Sequence, residues 1–266
     1  MSSVVLGDLD VAYAEAGTSS GGRPVVFVHG LAEDKDSWTA TQEALGELHT
    51  FAYDLRGHGS STVGVPQGSL GQLGADLVAF LEQVSGPAVV VGFSLGGTIA
   101  LWAAAERPDL VHGLVVLGTS SVVGRSAGDF YSRRIAQAAN TSSDGFRDAI
   151  RDDTAAALTT EIGQLETITA WRLRAIGAGA GYANAARAMA ALHAQPLTPR
   201  LTEVATHVDV VGATGDTFCP FKAAQILLEA LPDANYHEIS DAGHLMNIDN
   251  PGAVTDVLRA TIIGRN

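Results

Sequence analysis

A single cysteine, Cys219, stands in the whole chain, which excludes an internal disulfide framework and any multi-cysteine metal site. One thiol agrees with a reducing compartment, and it reads as structural rather than catalytic. Basic side chains are scarce as well. Lys and Arg number 16 against 29 Asp and Glu, for a formal net charge of -13. Such a balance repels nucleic acid and anionic membrane surfaces, and its plain consequence is solubility. Long apolar runs are missing too, since no stretch approaches the roughly 18 residues of a membrane span. Residues 1–8 have no basic region ahead of their short apolar run, unlike a secretory leader. The expectation is a cytoplasmic monomer or homodimer with no nucleic-acid and no membrane partner.

What is present is enough apolar material for one substantial core, 46% of 266 residues, so a single domain is expected. Short runs rich in β-branched residues, at 25–28, 51–53, 88–91, 114–117, 208–211 and 235–239, alternate with segments of helical character. That order predicts an α/β fold, a mostly parallel sheet covered by helices. Most of the runs are almost continuously apolar, as strands buried on both faces are. Residues 4–14, with Gly7-Asp8 between two partly apolar arms, predict an antiparallel hairpin at one edge of the sheet, and 17–22 predict a surface loop. One interval breaks the alternation. Residues 122–199 are alanine-rich and helix-compatible, notably 163–176, and contain no convincing strand. They read as a helical cap inserted between core segments 1–121 and 200–266, with Gly177-Ala178-Gly179-Ala180-Gly181 interrupting helix inside it.

The sharpest chemical signal is Gly92-Phe93-Ser94-Leu95-Gly96-Gly97, directly after the run at 88–91 and leading into helical Thr98-Ile99-Ala100-Leu101-Trp102. A nucleophile on such a strand–turn–helix sits in a strained backbone conformation. Small residues two before and two after it let strand and helix approach, and Gly92 and Gly96 meet that need. The turn also opens a helix, whose unpaired amides favour developing negative charge.

A serine hydroxyl needs a base, and the base needs an orienting group. His244, in Ser240-Asp241-Ala242-Gly243-His244, follows the last predicted strand and lies where such sheets present ligands. Its competitors among the eight histidines are weaker. His29 and His58 precede glycines in early loops, and His237 falls inside a strand. For the acid, Gly212-Ala213-Thr214-Gly215-Asp216 supplies Asp216 just past a strand, and the order Ser94, Asp216, His244 suits this fold. Asp209, within the strand, Asp241, close in sequence to His244, and Asp129 are the rivals. The oxyanion donors are then expected to be the amides of Leu95, after the nucleophile, and of Leu31, in the His29-Gly30-Leu31 turn that ends the run at 25–28. His29 itself is expected to hold that loop.

Through His29-Gly30, Asp54-Leu55-Arg56-Gly57-His58-Gly59-Ser60, the Ser94 turn, Asp216 and His244, the chain resembles the α/β-hydrolase superfamily along nearly all its length except the cap. The resemblance implies an eight-stranded sheet, a helical lid and hydrolysis of a small-molecule substrate with neither metal nor organic cofactor. Within the superfamily it looks most like enol-lactonases and carboxylesterases. The Asp54 to Ser60 loop and compact cap are shared with carbon–carbon bond hydrolases, cofactor-free haloperoxidases and epoxide hydrolases. Epoxide hydrolases and dehalogenases are similar except that aspartate takes the place of Ser94. A non-hydrolytic enzyme or a ligand-sensing protein on the same scaffold stays open as an alternative. For substrate contacts, Phe130, Tyr131, Trp171 and Tyr182 of the cap are considered beside Phe93 and Leu31 for an apolar pocket. Arg133, Arg134 and Arg172 raise the thought of a carboxylate-bearing substrate, although exposed helix faces account for them equally well.

Overall fold

The structure, a computed structural model, describes residues 2–18 and 22–263. Residues 19–21 of the expected surface loop lie outside the described residues. The strands are β1 Ser2–Leu6, β2 Leu9–Ala16, β3 Val25–Val28, β4 Thr50–Tyr53, β5 Ala88–Phe93, β6 Val111–Leu117, β7 Val208–Ala213 and β8 Ala234–Ile239. The helices are α1 Thr39–Ala44, α2 Leu70–Phe80, α3 Leu95–Glu106, α4 Arg125–Gln137, α5 Asp144–Ala157, α6 Leu165–Ile176, α7 Ala180–Ala191, α8 Phe221–Ala230, α9 Met246–Asp249 and α10 Pro251–Ile263. Every apolar run read from the sequence became a strand, and most extend by one to three residues beyond it.

The strands form one eight-stranded sheet in the order β1-β2-β4-β3-β5-β6-β7-β8. β1 pairs antiparallel with β2, and β2 antiparallel with β4, while the pairs from β4 through β8 are parallel. The hairpin at residues 4–14 is therefore the antiparallel edge. Burial explains the continuous apolar runs. In β3, Val26 and Val28 enter one core cluster and Val25 and Phe27 the other; β5 and β6 divide the same way, as period-two alternation requires when both faces are covered. Helices α2 and α3 cover the first face. On the second, Phe27 stacks on Trp38 at 4.8 Å beside Leu258 and Ile262 of α10.

From β3 the chain turns to β4 on one side and returns to β5 on the other. That reversal opens a crevice at the carboxyl ends of β3 and β5, the place where open parallel sheets bind ligands. Between β6 and β7 lie α4, α5, α6 and α7, without a strand, and they close onto the loops of that same edge. The Gly59 amide donates to the Ala175 carbonyl at 2.8 Å and the Leu245 amide to the Ala157 carbonyl at 3.0 Å. Gly181 of α7 abuts Gly57, and a Cβ there would stand 2.3 Å from the Gly57 carbonyl oxygen. Gly177 and Gly179, with φ of 56 and 86, separate α6 from α7 as the glycine run predicts. Among the described residues no helix is long and apolar enough to cross a membrane.

Candidate active site

Ser94 is the hinge between β5 and α3, and its backbone is bent to φ 52, ψ -116, a region that a non-glycine residue keeps only when its surroundings impose it. The surroundings are the glycines. A Cβ on Gly92 would lie 2.5 Å from the Gly96 carbonyl oxygen, one on Gly96 would lie 2.2 Å from the Val28 carbonyl oxygen, and one on Gly97 would meet Thr119 Oγ1 at 2.0 Å. Strand β5, helix α3 and the end of β3 thus pack backbone to backbone, with the Ser94 amide tied to the Leu117 carbonyl at 2.8 Å.

Three side chains meet here from three loops. His244 Nε2 lies 3.0 Å from Ser94 Oγ, and His244 Nδ1 lies 2.8 Å from Asp216 Oδ2. The other carboxylate oxygen, Oδ1, accepts the amides of Phe218 and Cys219, each at 2.8 Å. Burial works to raise the Asp216 carboxyl, but the facing His244 ring and these two amides outweigh it and hold it below its ordinary value. An ionised, acceptor-only Asp216 requires the proton of His244 on Nδ1. Nε2 is left with a lone pair aimed at the serine hydroxyl.

The rival acids are elsewhere. Asp209 lies within β7 and meets His237 Nε2 at 2.8 Å, Asp129 is exposed on α4, and Asp241 is exposed. His29 plays the loop-holding part expected of it: its Nε2 accepts the Leu55 amide at 2.9 Å and its Nδ1 donates to the Gly30 carbonyl at 2.8 Å. Complete burial pulls the ring down to about 4 against the smaller upward pull of Asp54, so it stays neutral. His58 is likewise buried and pulled down to about 3. The amides of Leu31 and Leu95 donate to no protein acceptor among the described residues.

Of the side chains considered for substrate contact, Phe93 is buried with its ring 5.0 Å from that of His244. Phe130 is half-buried and reaches the site through Phe218, whose ring is 6.2 Å from Phe130 and 5.2 Å from His244. Tyr131 leans against the core cluster under α2 and α3, and Trp171 donates Nε1 to Asp34 at 3.1 Å. Tyr182 is sealed into a cluster with Phe146 and Ile176, where it packs the helical segment. Arg134 is already paired with Asp153 and stacked over Phe130. Arg172 is buried and donates to Thr154 Oγ1 at 2.7 Å. Arg133 is exposed. Two clefts of about 420 and 290 Å³ lie away from this group, and no residue of the Ser94, His244, Asp216 set lines either one.

Sequence reasoning missed three side chains. Phe218, two residues past the acid, covers the His244 ring. Asp249 accepts the amides of Gly243, Thr159, Thr160 and Glu161 at 2.8 to 3.0 Å, binding the His244 loop to the α5–α6 connection. Glu33 is wholly buried and accepts the Gly30 amide at 3.0 Å. No local signal marked Glu33, which opens the charged run Glu33-Asp34-Lys35-Asp36, and the other two roles are made by contacts that folding creates. The glycine beside the acid also gains a reason. The Gly215 amide donates to the Ala242 carbonyl at 2.8 Å, and a Cβ at Gly215 would stand 2.7 Å from Thr159 Oγ1, so a larger residue would push the acid loop off the histidine loop.

Known proteins can now be set beside this geometry. A 3-oxoadipate enol-lactonase of Acinetobacter baylyi is 24% identical over 256 residues, which cover 95% of this chain and 94% of that protein. A pimeloyl-(acyl-carrier protein) methyl ester esterase of Aromatoleum aromaticum is 30% identical over 239 residues, 85% of this chain and 93% of that one. Among solved structures, the enol-lactonase from Burkholderia xenovorans LB400 superposes with a TM-score of 0.88 over 98% of this chain and 100% of that chain, at 21% identity, a likeness of fold alone. The family described as alpha/beta hydrolase fold matches residues 23–251, a span that runs from the start of β3 to the start of α10. A match of that extent means that the chain belongs to the alpha/beta hydrolase fold family.

Proposed function

We propose that this protein is a serine hydrolase that cleaves a small carboxylic ester or lactone through an acyl-enzyme, with Ser94 as nucleophile, His244 as base and Asp216 as the group that orients it. The observation that carries the reading is the unbroken relay at the strained turn, Ser94 Oγ to His244 Nε2 at 3.0 Å and His244 Nδ1 to Asp216 Oδ2 at 2.8 Å. Relatives named as an enol-lactonase and a methyl ester esterase favour an ester or lactone carbonyl as the target.

In the first half-reaction His244 Nε2 takes the Ser94 proton as Oγ bonds to the carbonyl carbon. The carbonyl oxygen becomes an oxyanion, received by the amides of Leu31 and Leu95 at the end of β3 and the start of α3. Collapse expels the alkoxide, which takes the proton held on His244. For a lactone that alkoxide stays tethered to the acyl group. Water then gives its proton to His244, attacks the acyl carbon and releases the acid, and the proton returns to Ser94. Asp216 stays ionised throughout and stabilises the imidazolium. Residues 122–199 serve as the cap over this site. Phe93 and Phe130, together with Phe218, give its approach an apolar character suited to a small substrate. Tyr131 and Trp171 border it from the cap.

The test is intact-protein mass after exposure to a small fluorophosphonate, on the natural chain and on Ser94→Ala and His244→Ala. One adduct on the natural chain alone is expected. A folded natural chain that takes no adduct would remove the acyl-enzyme reading and favour proton abstraction by His244, as in an oxygenase or lyase, or ligand sensing.

A further inference from the structure

The reading above gives Glu33 no part, yet its carboxyl lies against the turn that carries Leu31. Its side chain is fully buried. Oε2 accepts the Gly30 amide at 3.0 Å, while Oε1 is shielded from solvent and has no hydrogen-bond partner. A Cβ placed on Gly30 would lie 3.4 Å from Glu33 Oε2 and 2.8 Å from the Phe93 ring. The carboxyl and the Phe93 ring, whose centroid is 5.0 Å from that of His244, thus both stand against Gly30. Ala32, next along, holds φ 64, a left-handed conformation that needs outside support. On the far side of the turn, Arg172 of α6 points Nη2 at the Leu31 carbonyl at 3.5 Å. Three successive peptide planes are involved. The outer two are held, the first by Glu33 and the third by Arg172; the middle one carries the Leu31 N–H, and its Gly30 carbonyl accepts from His29 Nδ1 at 2.8 Å.

We infer that Glu33 is a positioning residue: by holding the Gly30 amide from behind, it fixes the Leu31 peptide plane and keeps that N–H aimed at the developing oxyanion. The inference rests on the hydrolase reading and adds to it. A buried carboxyl is costly to keep. Burial pushes Glu33 up to about 7, against the opposing pull of Arg172 from α6, the Gly30 amide and His244 from the loop after β8, with Asp34 on its own turn adding to the rise.

Glu33→Gln keeps an oxygen for Gly30 and removes the charge; Glu33→Ala removes both. With p-nitrophenyl acetate as probe, Glu33→Ala is expected to lose about a hundredfold in kcat with KM changed less than about threefold, and Glu33→Gln less than about tenfold. Thermal melting supplies a readout that needs no substrate. The folded value, about 7, is above the ordinary 4.5, so the natural chain keeps its full stability below the ordinary value and loses part of it as pH rises through the folded one. The melting temperature of Glu33→Gln should therefore rise relative to the natural chain between about pH 5 and 8. The inference is overturned if Glu33→Ala matches the natural kcat, if its loss falls wholly in KM, or if the melting difference is flat with pH. A natural chain that neither turns over the ester nor takes the fluorophosphonate sinks the hydrolase reading and this role with it. A reactive natural chain with an equally fast Glu33→Ala sinks the role alone.

Discussion

Asp216 and His244 are 28 residues apart in the chain, and Asp216 Oδ2 meets His244 Nδ1 at 2.8 Å because β7 and β8 are parallel neighbours whose last paired residues are Ala213 and Ile239. Each side chain hangs from the loop just past that pair. The relationship makes Asp216→Asn a sharp test. Asparagine can still accept the Phe218 and Cys219 amides through its oxygen, so the loop should keep its shape. Its NH2 group would then face His244 Nδ1, and the ring would have to turn an acceptor toward it, leaving the proton on Nε2 and no lone pair for Ser94. The expected outcome is a fall in kcat of about 10³ to 10⁴ with KM little changed, read by steady-state ester hydrolysis, and an unaltered melting temperature within about 3 °C.

Gly118, at the end of β6, is the floor under that pair. Its φ is 52, and a Cβ there would lie 3.2 Å from both Asp216 Oδ2 and His244 Nδ1. Gly118→Ala is expected to cost about 1 to 2 kcal/mol of stability from the left-handed backbone alone. It should also cut kcat at least about tenfold, since a small misplacement of a relay is expensive. Urea unfolding and ester kinetics on the same preparation separate the two effects.

Asp249 ties the histidine loop to the α5–α6 connection. Burial alone would raise its carboxyl, but the amides of Gly243, Glu161, Thr160 and Thr159 outweigh that and hold it below the ordinary value. A depressed folded-state value means stability that is present at neutral pH and lost as the pH falls through the folded value. Asp249→Ala strands the buried Gly243 amide, leaves the part-buried amides of Thr159, Thr160 and Glu161 without their acceptor, and is expected to lower the melting temperature by about 5 to 10 °C at pH 7, for a loss of about 2 to 3 kcal/mol. Scanning calorimetry from pH 7 down to acid should show the gap between the two proteins narrowing as the natural carboxylate takes up its proton.

Much of this was legible in advance for a local reason. The runs at 25–28, 88–91 and 114–117 are apolar at every position because both faces of a central strand are covered, and that pattern is written in consecutive residues. Ser94 was legible because its strained turn tolerates only small neighbours, at Gly92 and Gly96. Asp216 was legible as a carboxylate just past a strand, but so in part were Asp209, Asp129 and Asp241. Only their placement separates them, since Asp209 faces His237 while the other two are exposed. The aromatic residues of the helical segment between β6 and β7 were harder. Phe130 and Tyr182 look alike on paper, yet Phe130 is half-buried toward Phe218 and Tyr182 is sealed against Phe146.

The strands, the Ser94 turn and the loop positions of Asp216 and His244 were readable from the amino-acid order alone, because each depends on residues within a few positions of one another and on steric rules that act at that range. Packing of distant segments set what no local pattern encodes: which carboxylate faces His244, that Asp249 fastens the α5–α6 connection to the histidine loop, and that Glu33 lies behind the Leu31 turn. Those contacts join loops brought to one edge by the strand order β4-β3-β5-β6-β7-β8. Their distances follow from the packing of the whole sheet rather than from the composition of any one loop.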